Sequence, residues 1–246
     1  MSVSEKPPNI LPPGNTVTPA KRIVEFREVD STNSRALVIG GDGTVVIADS
    51  QTAGRGRHNR TWHSAPGLGL WFSIAFEGHV ECVSFAAALA VHDAVAPLAP
   101  VAIKWPNDLL LGGRKFAGIL VEHARGRTAA GIGINVHHTP SDFPEAIRNT
   151  ATSLSFGTGN RWNRTQLFHA VLSHLDRRVE ALRSGCTREV MRDWSLACDM
   201  KGRQVRYGRL VCTVSGIDAT GALLLDTPFG AHRLMAGDVR LLSECD

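Results

Sequence analysis

The sequence predicts an α+β fold, a mixed or antiparallel sheet with helices on one side, followed by a small all-β unit. Three observations carry this. Strand-like runs follow one another closely between residues 22 and 136, with only two helical stretches among them. Two amphipathic stretches come next. From Lys201 onward, short apolar runs alternate with glycines.

Arg22 to Val29 alternates apolar and polar residues, the period of a strand. Ser31-Thr32-Asn33 offers N-cap chemistry to a short helix running through Leu37. Thr44 to Ala48 is a strand, and Leu68 to Phe76 is a second, more apolar one. Val80 to Leu98 is alanine-rich with helical spacing, and Pro97 and Pro100 end it. Val101 to Trp105 is a strand stopped by Pro106. Leu109-Leu110-Leu111 and Phe116 to Val121 flank Gly112-Gly113, a hairpin signal. Ala129 to Val136 is a glycine-interrupted strand. His137 to Asn160, rich in Ser, Thr and Pro, reads as a loop. Arg164 to Leu182 and Arg188 to Ala197 are amphipathic helices. Asp218-Ala219-Thr220-Gly221 is a turn inside the last unit, which is expected to curl into a barrel. The boundaries follow: a flexible tail over 1–21 carrying Pro7, Pro8, Pro12, Pro13 and Pro19, a main domain over 22–198, and the β unit over 199–246.

Composition narrows the function. The 246 residues are 43% hydrophobic and 20% charged, the balance of a globular protein. A net charge of +4 is mildly basic, short of a dedicated nucleic-acid binder and suited to an anionic small molecule or acidic partner. The five cysteines are odd in number and widely spaced, with no C-x-x-C pair. That argues against a disulfide framework or zinc site and for a reducing compartment. No apolar run approaches the roughly 20 residues of a membrane span. The proline-rich start lacks the apolar core of a signal peptide. A cytoplasmic location follows by elimination, and with nothing before Arg22 long enough for a helix-turn-helix, no DNA partner is expected. There is no G-x-x-x-x-G-K-[ST], no H-E-x-x-H and no G-x-S-x-G. Gly131-x-Gly133 lacks the third glycine of a dinucleotide fingerprint.

Two runs carry chemistry. Gly54-Arg55-Gly56-Arg57-His58-Asn59-Arg60-Thr61-Trp62 resists helix and strand alike. Its arginines are forked donors for phosphate and carboxylate oxygens, and its indole is a flat face for a base. Alone it is equally well a solvated surface loop. Lys104-Trp105-Pro106-Asn107-Asp108 then precedes Arg114-Lys115-Phe116-Ala117-Gly118-Ile119-Leu120. Asn107 and Asp108 are either turn residues or ligand contacts at a strand end. Lys115, inside an apolar strand, is either an outward solvated cation or one aimed into a pocket.

These runs, with Ser31-Thr32-Asn33, Gln51-Thr52-Ala53 ahead of the loop, Val121-Glu122 and Gly131-Ile132-Gly133-Ile134-Asn135, occur in the order and spacing of the biotin–protein ligases. The resemblance covers about residues 22–246, and the arginine loop and K-W-P-N-D together are highly specific. The chain resembles the monofunctional branch, without an N-terminal DNA-binding domain. The resemblance implies a catalytic domain like that of class II aminoacyl-tRNA synthetases and an SH3-like C-terminal barrel. It implies activation of biotin with ATP and Mg²⁺ to biotinyl-5′-AMP, then transfer to a lysine of a biotin carboxyl carrier domain, by a monomer or homodimer without membrane attachment.

Catalytic roles fall by the same resemblance to Lys115, Arg57 and Asp108. Biotin contacts fall to Ser31, Thr32, Asn33, Gln51, Gly54, Arg55, Arg57, Lys115, Gly118, Ile119, Gly131 and Gly133. Adenylate contacts fall to Arg55, Arg57, Arg60, Trp62, Asn107, Lys115 and Asn135, with Mg²⁺ held by the phosphates near Asp108. Two other readings stand beside this one. A lipoate or octanoate ligase shares the fold, and a nucleic-acid-binding protein would use the arginine loop alone.

Overall fold

The computed structural model describes residues 22–242 and the backbone of Asn9–Ile10. Eight strands form the main sheet: β1 (Asn9–Ile10), β2 (Ile23–Val29), β3 (Val45–Gln51), β4 (Gly69–Glu77), β5 (Val101–Lys104), β6 (Asp108–Leu111), β7 (Arg114–Ala124) and β8 (Arg127–Asn135). Their spatial order is β1-β2-β3-β4-β8-β7-β6-β5. Only β2 and β3 pair in parallel, joined through helix α1 (Thr32–Ile39); every other pair is antiparallel. The sheet is therefore mixed, as the strand spacing predicts. Apart from β1, which pairs with Val24 and Glu25, the tail expected over 1–21 lies outside the described residues.

Period-2 alternation sends neighbouring residues to opposite faces. Phe72, Ile74, Ala130, Ile132 and Ile119 face one way and join a core with α2 (Val83–Val95), α4 (Arg164–Arg183) and α5 (Thr187–Ala197). Alanines at 86, 87, 88 and 90 let α2 lie close to the strands. An ion cluster ties the helices together, with Arg178 bridging Asp93 on α2 and Asp193 on α5. Burial would raise the Asp93 carboxyl, but bonds from His92 and Arg178 outweigh it and hold it below its ordinary value.

The opposite face is where the structure departs from the sequence. Helices were expected on one side only, yet α1 covers the other, packing Ala36 and Leu37 on Val46, Ala75 and Ala129. It covers only one end of that face, and the uncovered remainder is the floor of the cleft described below. The stretch 137–160 is also less irregular than expected. It holds a short helix α3 (Leu154–Thr158), capped by the Ser153 hydroxyl accepting from the Phe156 amide, and two 3-10 turns. Asn163 caps α4 in the same way, accepting from the Gln166 amide.

The C-terminal unit is five antiparallel strands, β9 (Gln204–Tyr207), β10 (Leu210–Ile217), β11 (Leu223–Thr227), β12 (Gly230–Leu234) and β13 (Arg240–Leu241). Their order is β12-β11-β10-β9-β13. Edge strands β12 and β13 do not pair with each other among the described residues, so the unit is an open sheet and not the closed barrel expected. The turn at Asp218–Gly221 sits where the sequence places it, between β10 and β11. Gly221 has φ +86, and a Cβ there would lie 2.4 Å from the Phe85 ring of α2. Trp105, 1% exposed, donates its indole N–H to the Gly221 carbonyl at 2.9 Å. One tight turn and one buried indole thus help to join the two sheets.

Candidate active site

The cleft on the α1 face has a volume of about 930 Å³. Its floor follows from strand register. Lys104 pairs with Asp108, Asp108 with Gly118, Gly118 with Gly133, and Gly133 with Trp71. Directly opposed residues in antiparallel strands share a face. One row across five strands therefore carries a cation, a carboxylate, two glycines and an indole. The glycines are what make it a floor. A Cβ at Gly133 would lie 2.6 Å from the Trp62 indole, and one at Gly118 would lie 3.0 Å from both that indole and the Lys115 Cε.

Lys115 is aimed into this space and is not a solvated surface lysine. Its Nζ lies 2.5 Å from Asp108 Oδ1 and 5.2 Å from the centroid of the Trp62 ring. The backbone of Lys115 is fixed separately, its N–H donating to the Thr150 carbonyl at 2.8 Å and its carbonyl accepting from Thr152 N–H at 2.9 Å. Asn107, next to the cis Trp105–Pro106 peptide, donates to the Ile119 carbonyl at 2.6 Å, which fixes the turn that presents Asp108.

The arginine run forms a closed loop above the floor. Trp62 N–H donates to the Gly54 carbonyl at 2.9 Å and Gly56 N–H to the Arg60 carbonyl at 2.7 Å. Gly54 sits at the neck of this loop and does not line the cleft. A Cβ there would meet the Trp62 carbonyl at 2.5 Å, so its smallness serves loop closure. Arg55 forks onto Glu122, with Nε–Oε1 at 3.1 Å and Nη2–Oε2 at 2.9 Å, and also reaches the Ser34 hydroxyl. Arg57 lies 3.6 Å from Asp238 Oδ1 and 3.5 Å from Asn107 Oδ1, and Arg60 pairs with Asp238 Oδ2. Burial would raise the Asp238 carboxyl, but the hydrogen bond from Arg60 and the charges of Arg60, Arg57 and His58 hold it lower. The loop is thereby fastened to the segment just before β13.

At the α1 end the lining turns polar and enclosed. Ser31 takes the N-cap position without a capping bond from its side chain. Instead Gln51 Oε1 accepts from the Thr32 N–H at 2.8 Å and from the Thr32 hydroxyl at 3.2 Å. Ser73 donates to the Thr32 hydroxyl at 2.7 Å, and Gln51 Nε2 donates to Ser64 at 2.7 Å. Asn33 donates to Leu120 O and to Glu122, while its Oδ1 is buried with no partner. A Cβ at Gly131 would lie 2.5 Å from that oxygen. Asn135, 5% exposed, donates to the Thr152 carbonyl at 3.1 Å. Behind Trp71 lies His138, pushed down to about 4 chiefly by burial, so a neutral ring stacks on Phe143 and meets that indole edge-on.

Every site residue named from the sequence except Gly54 lines this one cleft. Sequence reasoning left several others unassigned. Lys104 and Glu122 stood inside quoted motifs without a role. Phe143, Ile147 and Thr150 come from the stretch read as a loop, and Arg206, Asp238 and Arg240 from the C-terminal unit. A lone acid such as Asp238 carries no signal in sequence, because its partners are some 180 residues away.

Comparison with known proteins agrees with this geometry. Residues 27–138 match the biotin/lipoate A/B protein ligase family. The chain is 34% identical over 220 residues to the bifunctional ligase/repressor BirA of Bacillus subtilis, covering 81% of this chain and 66% of that protein, just under two thirds of its length. It is also 34% identical to the biotin–acetyl-CoA-carboxylase ligase of Mycobacterium tuberculosis, covering 80% of this chain and 79% of that one. The structure of an Aquifex aeolicus biotin protein ligase in complex with biotin and ATP superposes with a TM-score of 0.79 at 29% identity, covering 90% of this chain and 99% of that one. With an arginine loop closed over a glycine floor, a lysine at its centre and these relatives beside it, the chain belongs to the biotin–protein ligase family.

Proposed function

We infer that this protein joins biotin to ATP, releasing pyrophosphate and forming biotinyl-5′-AMP, and then passes the biotinyl group to a lysine of a biotin carboxyl carrier domain. The observation that carries this reading is the convergence of Lys115, the arginine loop and a polar enclosed end in one cleft. A carboxylate is a poor electrophile, and bringing it to the α-phosphate sets two anions together. A fixed cation at the junction would offset that repulsion, and the position of Lys115 over Gly118 in the cleft supports this role for it.

Biotin is mostly apolar with one ureido group, so it suits an apolar slot ending in a few fixed polar atoms. The partnerless Asn33 Oδ1 fits a ureido N–H, and the Thr32, Gln51 and Ser73 network offers the remaining polar contacts. Gly131 leaves the room this needs. Trp62, resting on Gly133, offers its face to adenine, with Asn135 at the end of β8 beside it. Arg55, Arg57 and Arg60 close over the adenylate and keep water from hydrolysing it. Asp108, at present paired with Lys115, takes a proton from the incoming amine in the second step. Among the described residues no three His, Cys, Asp or Glu side chains converge. Mg²⁺ would be held largely by phosphate oxygens, with Asp108 as the carboxylate at hand. When bound, it offsets the charge of the triphosphate.

No helix of the described residues is long and apolar enough to cross a membrane. The four described cysteines are free thiols, which fits a cytoplasmic enzyme. The test is incubation with biotin, ATP, Mg²⁺ and a carrier domain. A carrier heavier by one biotinyl group on one lysine, with pyrophosphate exchange that depends on biotin and not on lipoate, supports the reading. Exchange driven by lipoate alone, or an unmodified carrier, refutes it. A second outcome concerns the loop. Arg57→Gly removes the contacts to Asp238 and Asn107 and is expected to let biotinyl-5′-AMP escape, labelling lysines indiscriminately. An avidin blot of mixed proteins reads this directly, and labelling confined to the carrier would speak against sealing by the loop.

A further inference from the structure

Four of the cations lining the cleft are already answered by carboxylates. Lys115 faces Asp108, Arg55 forks onto Glu122, and Arg57 and Arg60 share Asp238. Lys104 is different. It is half-buried, it lines the same cleft, and among the described residues it makes no hydrogen bond or ion pair. A desolvated ammonium without a partner is costly, and an anionic ligand entering the cleft would offset that cost.

Its position says which anion. Lys104 ends β5 and opposes Asp108 on β6, which opposes Gly118 on β7. All three lie on the face of the cleft. At roughly 4.8 Å per strand, the Lys104 backbone stands roughly 10 Å from Gly118, the glycine over which Lys115 reaches. The polar end with Thr32 and Ser73 lies the other way along the row, on α1 and β4. The far end beyond Asp108 is therefore where phosphates past the reacting one would extend.

We propose that Lys104 binds the β- and γ-phosphates of ATP and holds the departing pyrophosphate. This rests on the ligase reading. In the step it serves, a carboxylate oxygen of biotin bonds to the α-phosphorus while the bond from that phosphorus to the α,β-bridging oxygen breaks. The bridging oxygen leaves with the electron pair, and no proton moves. Charge grows on the pyrophosphate, and the Lys104 ammonium lies where it meets that charge. Burial pulls the ammonium toward its neutral form, and the attraction of Asp108 and Asp238 only partly restores it. A bound polyanion completes the restoration.

The experiment uses inorganic pyrophosphate as the probe, with the full chain, biotin, ATP and Mg²⁺. Lys104→Met keeps the apolar stem and removes the charge. It is expected to raise the KM for pyrophosphate in the exchange reaction by about 10–100-fold, the size of one lost charge-assisted contact. Transfer from presynthesised biotinyl-5′-AMP to the carrier, which involves no pyrophosphate, is expected to fall far less than exchange does, and the melting temperature to be unchanged or higher. Lys104→Arg is expected to recover part of the pyrophosphate affinity. A KM for pyrophosphate within threefold of wild type overturns the proposal. So does a variant that melts lower and loses both half-reactions equally, since that is how a merely structural lysine behaves. If the wild-type chain itself shows no biotin-dependent exchange, the ligase reading fails first, and the two failures are told apart.

Discussion

Lys115→Ala is expected to lower biotin-dependent pyrophosphate exchange by about 10²–10³-fold while leaving the fold intact. The size follows from where the charge sits. Lys115 Nζ faces Asp108 inside the cleft, over the Gly118 position where carboxylate and phosphate are proposed to meet. The fold is spared because the strand contacts at this position are backbone ones, to Thr150 and Thr152, and the side chain is a third exposed. Truncation leaves Asp108 without its cation, but that carboxylate retains access to water, so the loss of stability is expected to stay within about 1 kcal/mol. Exchange assays and a urea melt on one preparation check both halves. Exchange near the wild-type rate would remove Lys115 from the chemistry.

Trp105→Ala is expected to be the most damaging change to stability, costing about 3–5 kcal/mol. The indole is 1% exposed and sits where the main sheet, the C-terminal unit and the segment after α5 meet. Its removal leaves a cavity and also orphans the Gly221 carbonyl, which accepts the indole N–H. Trp105→Phe separates the two effects, filling most of the volume but not making the bond, and is expected to cost about 1–3 kcal/mol. Denaturant midpoints read both. A Trp105→Ala loss below about 1 kcal/mol would mean that the two sheets are held together elsewhere.

Most of the elements were legible because their signals are local. Alternation marks β2, a continuous apolar run marks β4, Gly112-Gly113 marks the β6–β7 turn, and two prolines mark the end of the alanine-rich helix. The cleft was legible because its chemistry is concentrated in two runs with unusual residue order. What escaped depends on distance. Whether α1 lies on the helix side or opposite it is decided by which alternate residues of β3, β4 and β8 are small, and Val46, Ala75 and Ala129 look no different in sequence from their neighbours. Closure of the C-terminal unit depends on whether β12 reaches β13, and no residue of either strand announces that. Ser31 looks like a cap, yet Gln51, reaching from another strand, takes the helix amide in its place. Lys104 carries no signal in sequence because lacking a partner is a property of the folded chain alone.

The contacts of Arg57 and Arg60 with Asp238 bear on how the molecule responds to its nucleotide. Guanidinium groups engaged by one acid cannot serve a second set of oxygens at full strength, so under the adenylate-binding role proposed for the loop, entering phosphates would compete with Asp238 for them. Competition of this kind is reciprocal: whatever loosens the hold on Asp238 helps the nucleotide bind, and the bound nucleotide loosens that hold by the same free energy. The tether between the arginine loop and the segment before β13 is in this sense coupled to the proposed binding of phosphate beneath that loop.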